Sequence, residues 1–274
     1  MRPEAFVFPH PTDSVVRDSM FRALRIVILT FVLINVALGA WLTRARTTAW
    51  EQPLRVVIFP INGDGLDSTG RYIRQLTREH FRPLEDFMRD EAQRYALGQG
   101  DPLDVFVAEE VEALPPRVPP DANLLQVAGW SLQLRWWAWR HADYDGPAPD
   151  VRMFVLFHDP VHVDRLPHSL GLQKGLIGVV YAFAMPTQEG ENNVVIAHEL
   201  LHTLGATDKY DPQTNQPVYP HGFAEPDRDP VYPQAFAEIM AGRIPIDPRH
   251  AEMPRGLDES TIGAATAAEI RWLE

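Results

Sequence analysis

The chain has 274 residues, enough for one sizeable domain and an appendage. Its formal net charge of −12 provides no basic surface and argues against a nucleic-acid partner. The absence of cysteine excludes disulfides and thiolate zinc sites, leaving His, Asp and Glu as ligands for any zinc.

Residues 1–25 contain Pro3, Pro9 and Pro11 and read as a polar, cytoplasmic N-terminal tail. Residues 26–42 (IVILTFVLINVALGAWL) carry no charge, and they are fenced by Arg22 and Arg25 before and Arg44 and Arg46 after. With Ala23 and Leu24 added, a helix here would be roughly 28 Å long, enough to cross a bilayer core. A soluble core helix is rarely apolar on every face and bracketed by arginines, so this stretch is expected to be a single-pass transmembrane signal-anchor. Trp41 suits the membrane interface. The slight arginine excess on the amino side puts the rest of the chain on the extracytoplasmic side. Ala37-Leu38-Gly39 resembles a signal-peptidase site, so cleavage is the alternative, which the long polar leader disfavours. Residues 43–53 read as a linker.

The globular part then begins at residue 54 with a buried strand, 54–60, followed by an Asn-Gly-Asp-Gly turn at 62–65. Residues 68–97 are helical, with Ile73, Leu76, Leu84, Phe87 and Met88 as core stripe, and Pro83 opens a second segment. A short strand at 104–107 precedes a proline-rich loop, 111–121. Residues 122–141 form a further helix holding Trp130, Trp136, Trp137 and Trp139. These read as core and near-core packing, with a membrane or substrate contact as the alternative. Strands follow at 151–157 and 175–184. The loop between them holds His158, His162 and His168, whose spacing matches no helical metal pair. The order of strands and helices implies an α/β (α+β) sheet with helices packed on it.

Residues 193–208, NVVIAHELLHTLGATD, contain H-E-x-x-H-x-x-G-x-x-D. Residues four apart share a helix face, so His198 and His202 can aim both imidazoles at one cation. Glu199, one step round, can serve as proton acceptor for a metal-bound water. Val194, Ala197, Leu201 and Leu204 form the buried stripe. Asn192 or Asn193 can cap the start, and Gly205 tolerates the left-handed conformation that ends a helix. Asp208 is the first carboxylate beyond that turn. Two histidines and one carboxylate leave zinc an open fourth position. Residues 208–235 are rich in Pro, Asp and Tyr, 237–243 contain Ile239-Met240, and a last helix is expected at about 259–273.

These features resemble the metzincin-type zinc metalloproteases. The resemblance rests on the motif at 198–208 and on a methionine-bearing turn at Met240. It implies a zincin-like domain over 54–274, with a mixed twisted sheet, an active-site helix and a Met-turn in which Met240 floors the metal. The commonest pattern has a histidine where Asp208 stands. The run Asp208-Lys209-Tyr210-Asp211 also looks like that of immune-inhibitor-type zinc peptidases. Glu225 or Glu238 is the alternative third ligand, as in the gluzincin arrangement, and Asp208 and Asp211 would then hold calcium (Ca2+) or shape the loop. By the same resemblance, strand 176–184 flanks the cleft and offers its edge to an extended peptide.

The activity implied is zinc (Zn2+)-dependent hydrolysis of peptide or protein substrates, with Glu199 as general base. Tyr210 or Tyr219 is the candidate for stabilising the oxyanion, with a structural loop role as the alternative. Two other readings stand beside it. One is a membrane-tethered binding or scaffold protein with a structural or vestigial zinc site. The other is a zinc hydrolase of a non-peptide amide.

Overall fold

The computed structural model describes residues 22, 24–31, 33–34, 49–98, 100–119, 123–173 and 175–273. The chain divides into two compact units, residues 1–45 and 46–274. In the first unit, residues 24–31, 33 and 34 are helical and their apolar side chains are exposed. Among the described residues no helix is long and apolar enough to cross a membrane. Most of the expected tail, part of the expected span at 26–42 and the first half of the linker at 43–53 lie outside the described residues.

The second unit is a mixed α/β body. Strands β1 (Leu54–Asn62), β2 (Leu103–Val107), β3 (Val151–His158), β4 (Leu170–Leu172) and β5 (Ile177–Phe183) form one sheet in the order β2-β1-β3-β5-β4. The first three neighbouring pairs are parallel, and β4 runs antiparallel to β5 at the edge. Strands covered on both faces read as continuous apolar runs rather than alternating ones, as β1 and β3 do. Pro60 lies in β1 beyond the last residue paired with β2, Ile58, so its missing N–H costs that ladder nothing.

Alternate residues of the strands feed two cores. Val56, Ile58, Met153, Val155, Phe157, Val180 and Ala182 face one layer, which holds α1 (Asp67–Ile73), α2 (Arg82–Arg94) and α4 (Glu189–Leu204). Val57, Phe59, Ile61, Phe154, Leu156 and Val179 face the other, covered by α3 (Leu124–His141). Pro83 stands in the first turn of α2, where a missing N–H is harmless. Helix α3 is fixed at its start by a capping box: Asn123 Oδ1 accepts from Gln126 N at 3.0 Å, and Gln126 Oε1 accepts from Asn123 N at 2.9 Å.

Three expectations need correction. The body begins before residue 54: Trp50 Nε1 donates to Ile270 O at 2.8 Å, and its ring meets Trp272 edge-on at 5.4 Å. This tryptophan of the expected linker is therefore packing surface. The last helix, α5, spans only Ala264–Glu269. Ser260 and Thr261, expected to be helical, instead form β9 (Ser260–Thr261), which pairs with β6 (Ala237–Glu238). Finally, β5 is an interior strand. The free edge on that side belongs to β4, which lies in the expected loop between β3 and β5, so strand 176–184 cannot offer its edge to a peptide. The remaining strands, β7 (Ile244–Asp247) and β8 (His250–Glu252), form a small hairpin.

Candidate metal centre

Helix α4 carries the motif. Val194, Ala197, Leu201 and Leu204 are buried as the helical spacing requires, together with Ile196 and Leu200. The helix starts at Glu189, ahead of the asparagines expected to cap it. Asn192 and Asn193 lie inside it and are buried, because their amides serve tertiary contacts. Asn192 accepts from Phe183 N at 3.0 Å and donates to Phe183 O at 2.9 Å, pinning α4 to the end of β5. Asn193 Nδ2 donates to His80 O at 2.9 Å. Glu189 and Glu191 in the first turn complement the positive end of the helix dipole.

The helix ends as the sequence indicates. Gly205 adopts φ 113°, and Ala206 N returns to Leu201 O at 3.0 Å. This reversal carries Asp208 back over the helix. His198 Nε2 and His202 Nε2 are 3.0 Å apart, and Asp208 Oδ1 lies 3.2 Å from the first and 3.0 Å from the second. Among the described residues this is the only group whose donor atoms converge as metal ligands do.

The hydrogen bonds behind the rings set their chemistry. His198 Nδ1 contacts Ile239 O at 2.9 Å, and His202 Nδ1 contacts Ala206 O at 2.8 Å. A carbonyl oxygen only accepts, so each Nδ1 bears a proton and each neutral ring turns its Nε2 lone pair inward. Two lone pairs and a carboxylate oxygen then face one another with no donor between them. That is an unfavourable arrangement unless a cation lies among them. A tetrahedral zinc with bonds of about 2.0–2.1 Å has ligand–ligand edges of about 3.3 Å, close to the observed triangle. The donor set therefore fits a divalent cation such as zinc, which His198, His202 and Asp208 would hold, with the Asp208 side open to solvent.

Glu199 is buried, and its Oε2 has no hydrogen-bond partner. Burial pushes its carboxyl up, opposed by His198 and His202 and reinforced by Asp208. Burial also works to raise Asp208, but the adjoining His198 and His202 lower it far below the usual carboxylate range. His198 is lowered by burial and raised by Asp208, Glu199 and Ile239 O, with a net upward shift.

The other candidates separate cleanly. Glu225 lies outside the converging group, and its Oε2 accepts from Ala235 N at 2.9 Å and Arg228 Nη1 at 3.0 Å. Glu238 is wholly buried and also lies outside that group. Its Oε2 accepts from Met240 N (2.7 Å) and Ala241 N (3.0 Å), and its Oε1 from Gly263 N (3.1 Å) and Thr266 Oγ1 (2.6 Å). Asp211 Oδ1 accepts from Gln213 N at 2.7 Å and so shapes a turn. It is not part of the group that contains Asp208. Tyr210 is beside the centre, its ring 6.4 Å from that of His198, and burial followed by Asp208 and Glu199 raises its phenol. Tyr219 is exposed, and its ring meets that of Phe223 edge-on at 5.4 Å. His158, His162 and His168 stand outside the group, as expected.

Met240 is buried in the same core cluster as Ala197, Leu200 and Leu201. Its turn touches the centre through the backbone: Ile239 O receives His198 Nδ1, and Met240 O accepts from Lys209 N at 3.0 Å. Two supports escaped the sequence reading. Lys209 is buried, and its Nζ donates to Thr207 O (2.7 Å), Thr207 Oγ1 (2.9 Å) and Glu269 Oε2 (2.7 Å), fixing the segment that bears Asp208. Gly171 of β4 packs so closely on α4 that a Cβ would lie 2.3 Å from Glu199 O and 2.6 Å from His202 Cβ. Local sequence signals neither, since Lys209 pairs with Glu269, 60 residues away, and Gly171 meets α4 only in the folded chain. No protein-family model matches the chain, and a search of curated proteins finds no match either.

Proposed function

We propose that the chain is a zinc-dependent metallopeptidase of metzincin type, with a zincin-like domain following a membrane-anchoring segment. The observation that carries this reading is the convergence of His198 Nε2, His202 Nε2 and Asp208 Oδ1 beside a buried carboxylate with an unpartnered oxygen. Zinc, when bound, supplies a Lewis acid that acidifies water and polarises a carbonyl. Glu199 accepts the proton of the attacking water and returns it to the leaving amine. Its apolar surroundings suit that exchange, since burial brings a carboxyl closer to neutrality. Tyr210, whose ring lies 6.4 Å from that of His198, is the candidate for steadying the developing oxyanion. Met240 takes the place of the apolar floor.

A scaffold with a structural zinc would use four protein ligands and would have no need of a base. Among the described residues three donors converge, and Glu225 and Glu238 are committed elsewhere. The free carboxylate of Glu199 therefore favours catalysis over a scaffold. Glu199→Gln, assayed on denatured protein substrates and on a mixed peptide library, should lose hydrolysis while retaining zinc. Wild-type rates in this variant would refute the role of Glu199. Zinc retention without hydrolysis by either wild type or variant would favour the scaffold or a non-peptide amide substrate.

A further inference from the structure

Helix α3 is apolar on two faces. Trp130, Leu134, Trp137 and Ala138 are buried against the sheet. On the opposite side, Leu125 (85% exposed), Leu132 (64%), Trp136 (59%) and Trp139 (78%) stand at helical spacing along one ridge. Burying one face is all that packing on the sheet requires, so the outer ridge calls for another occupant.

We infer that this ridge lies in the surface of a lipid bilayer, with Trp136 and Trp139 at the boundary between headgroups and acyl chains. Three features select a bilayer. A ridge of exposed leucine and tryptophan on a helix whose other face is already buried matches an interfacial helix. The helix has no Asp or Glu, although the whole chain carries −12, and it has the exposed Arg140 beside the ridge, the charge that anionic headgroups favour. The same chain carries an uncharged run at 26–42 that is proposed to enter the membrane. The inference leans on that anchoring only for proximity and is independent of the metal centre.

The test uses the full chain in vesicles of phosphatidylcholine and phosphatidylglycerol whose acyl chains are brominated at shallow positions, with tryptophan fluorescence as the readout. Trp136→Phe/Trp139→Phe removes two reporters and keeps the ridge apolar. Leu125→Ser/Leu132→Ser keeps both reporters and weakens the docking. The wild type should show a quenched component that is absent from the first variant and reduced in the second. Trp41, within the apolar run, is common to all three and reports separately on anchoring. Equal quenching in the wild type and both variants would overturn the inference. Exposure to bromine that depends on protein density within the bilayer would also overturn it, by assigning the ridge to a second copy of the chain.

Discussion

Glu238→Ala tests how the turn beneath the centre is held. The native carboxylate is wholly buried and accepts from three backbone N–H groups and one hydroxyl. Truncation leaves Met240 N and Gly263 N without these bonds and opens a cavity, while Ala241 N keeps its bond to the Glu238 backbone carbonyl at 2.9 Å. A buried donor left unpaired costs about 1–3 kcal/mol, and local relaxation recovers part of it, so a loss of about 2–4 kcal/mol is expected. Urea unfolding should show a lower midpoint with an unchanged slope. The same turn presents Ile239 O to His198 and Met240 O to Lys209 N, so zinc affinity measured by chelator competition should fall about 10–100-fold. Glu238→Gln keeps the volume but turns an amide NH2 toward two donors, so it should not restore either property. If Glu238→Ala unfolds within about 1 kcal/mol of the wild type and binds zinc equally well, the turn is not held this way. If the glutamine variant is fully native, the carboxylate acts only as filler.

Gly205→Ala forces a Cβ onto a residue at φ 113° and should cost about 1–2 kcal/mol in thermal or urea unfolding; an unchanged midpoint would mean the helix end relaxes freely. Gly171→Ala drives a Cβ into Glu199 O, so overpacking of about 1–3 kcal/mol should appear together with weaker zinc binding, and neutrality in both would contradict the close approach of β4 to α4. Burial works to raise the Glu269 carboxyl, but Lys209 and Thr207 hold it below its ordinary value of 4.5. A depressed folded value stabilises above the unfolded value and loses that contribution as pH falls through the folded one. The gap in melting temperature between wild type and Glu269→Gln should therefore be full above pH 4.5 and close in more acidic solution. A gap independent of pH would show that the Glu269 charge is not involved.

Local signals made the motif helix legible. The pair His198 and His202, the stripe from Val194 to Leu204 and the stop at Gly205 are all set within one stretch of chain. The long apolar strands were legible for a similar reason, since burial on both faces writes itself as an uninterrupted run. What sequence did not reveal depends on distant partners. The three residues of β4 are a strand only because β5 lies beside them. Asn192 looks like a cap, yet tertiary hydrogen bonding to Phe183 places it inside the helix. Ser260 and Thr261 sit next to an alanine-rich helix but pair with β6 instead. Among Asp208, Glu225 and Glu238, choosing the carboxylate that faces the histidines required knowing where the chain turns after Gly205.

Metal analysis of the purified full chain, equilibrated with zinc and then freed of excess, tests the central claim most directly. The wild type should retain one zinc per chain, while His202→Ala and Asp208→Ala, folded by circular dichroism, should each lose it. Retention by folded His202→Ala, or no zinc in the wild type, would contradict the assignment of His198, His202 and Asp208 as the metal centre.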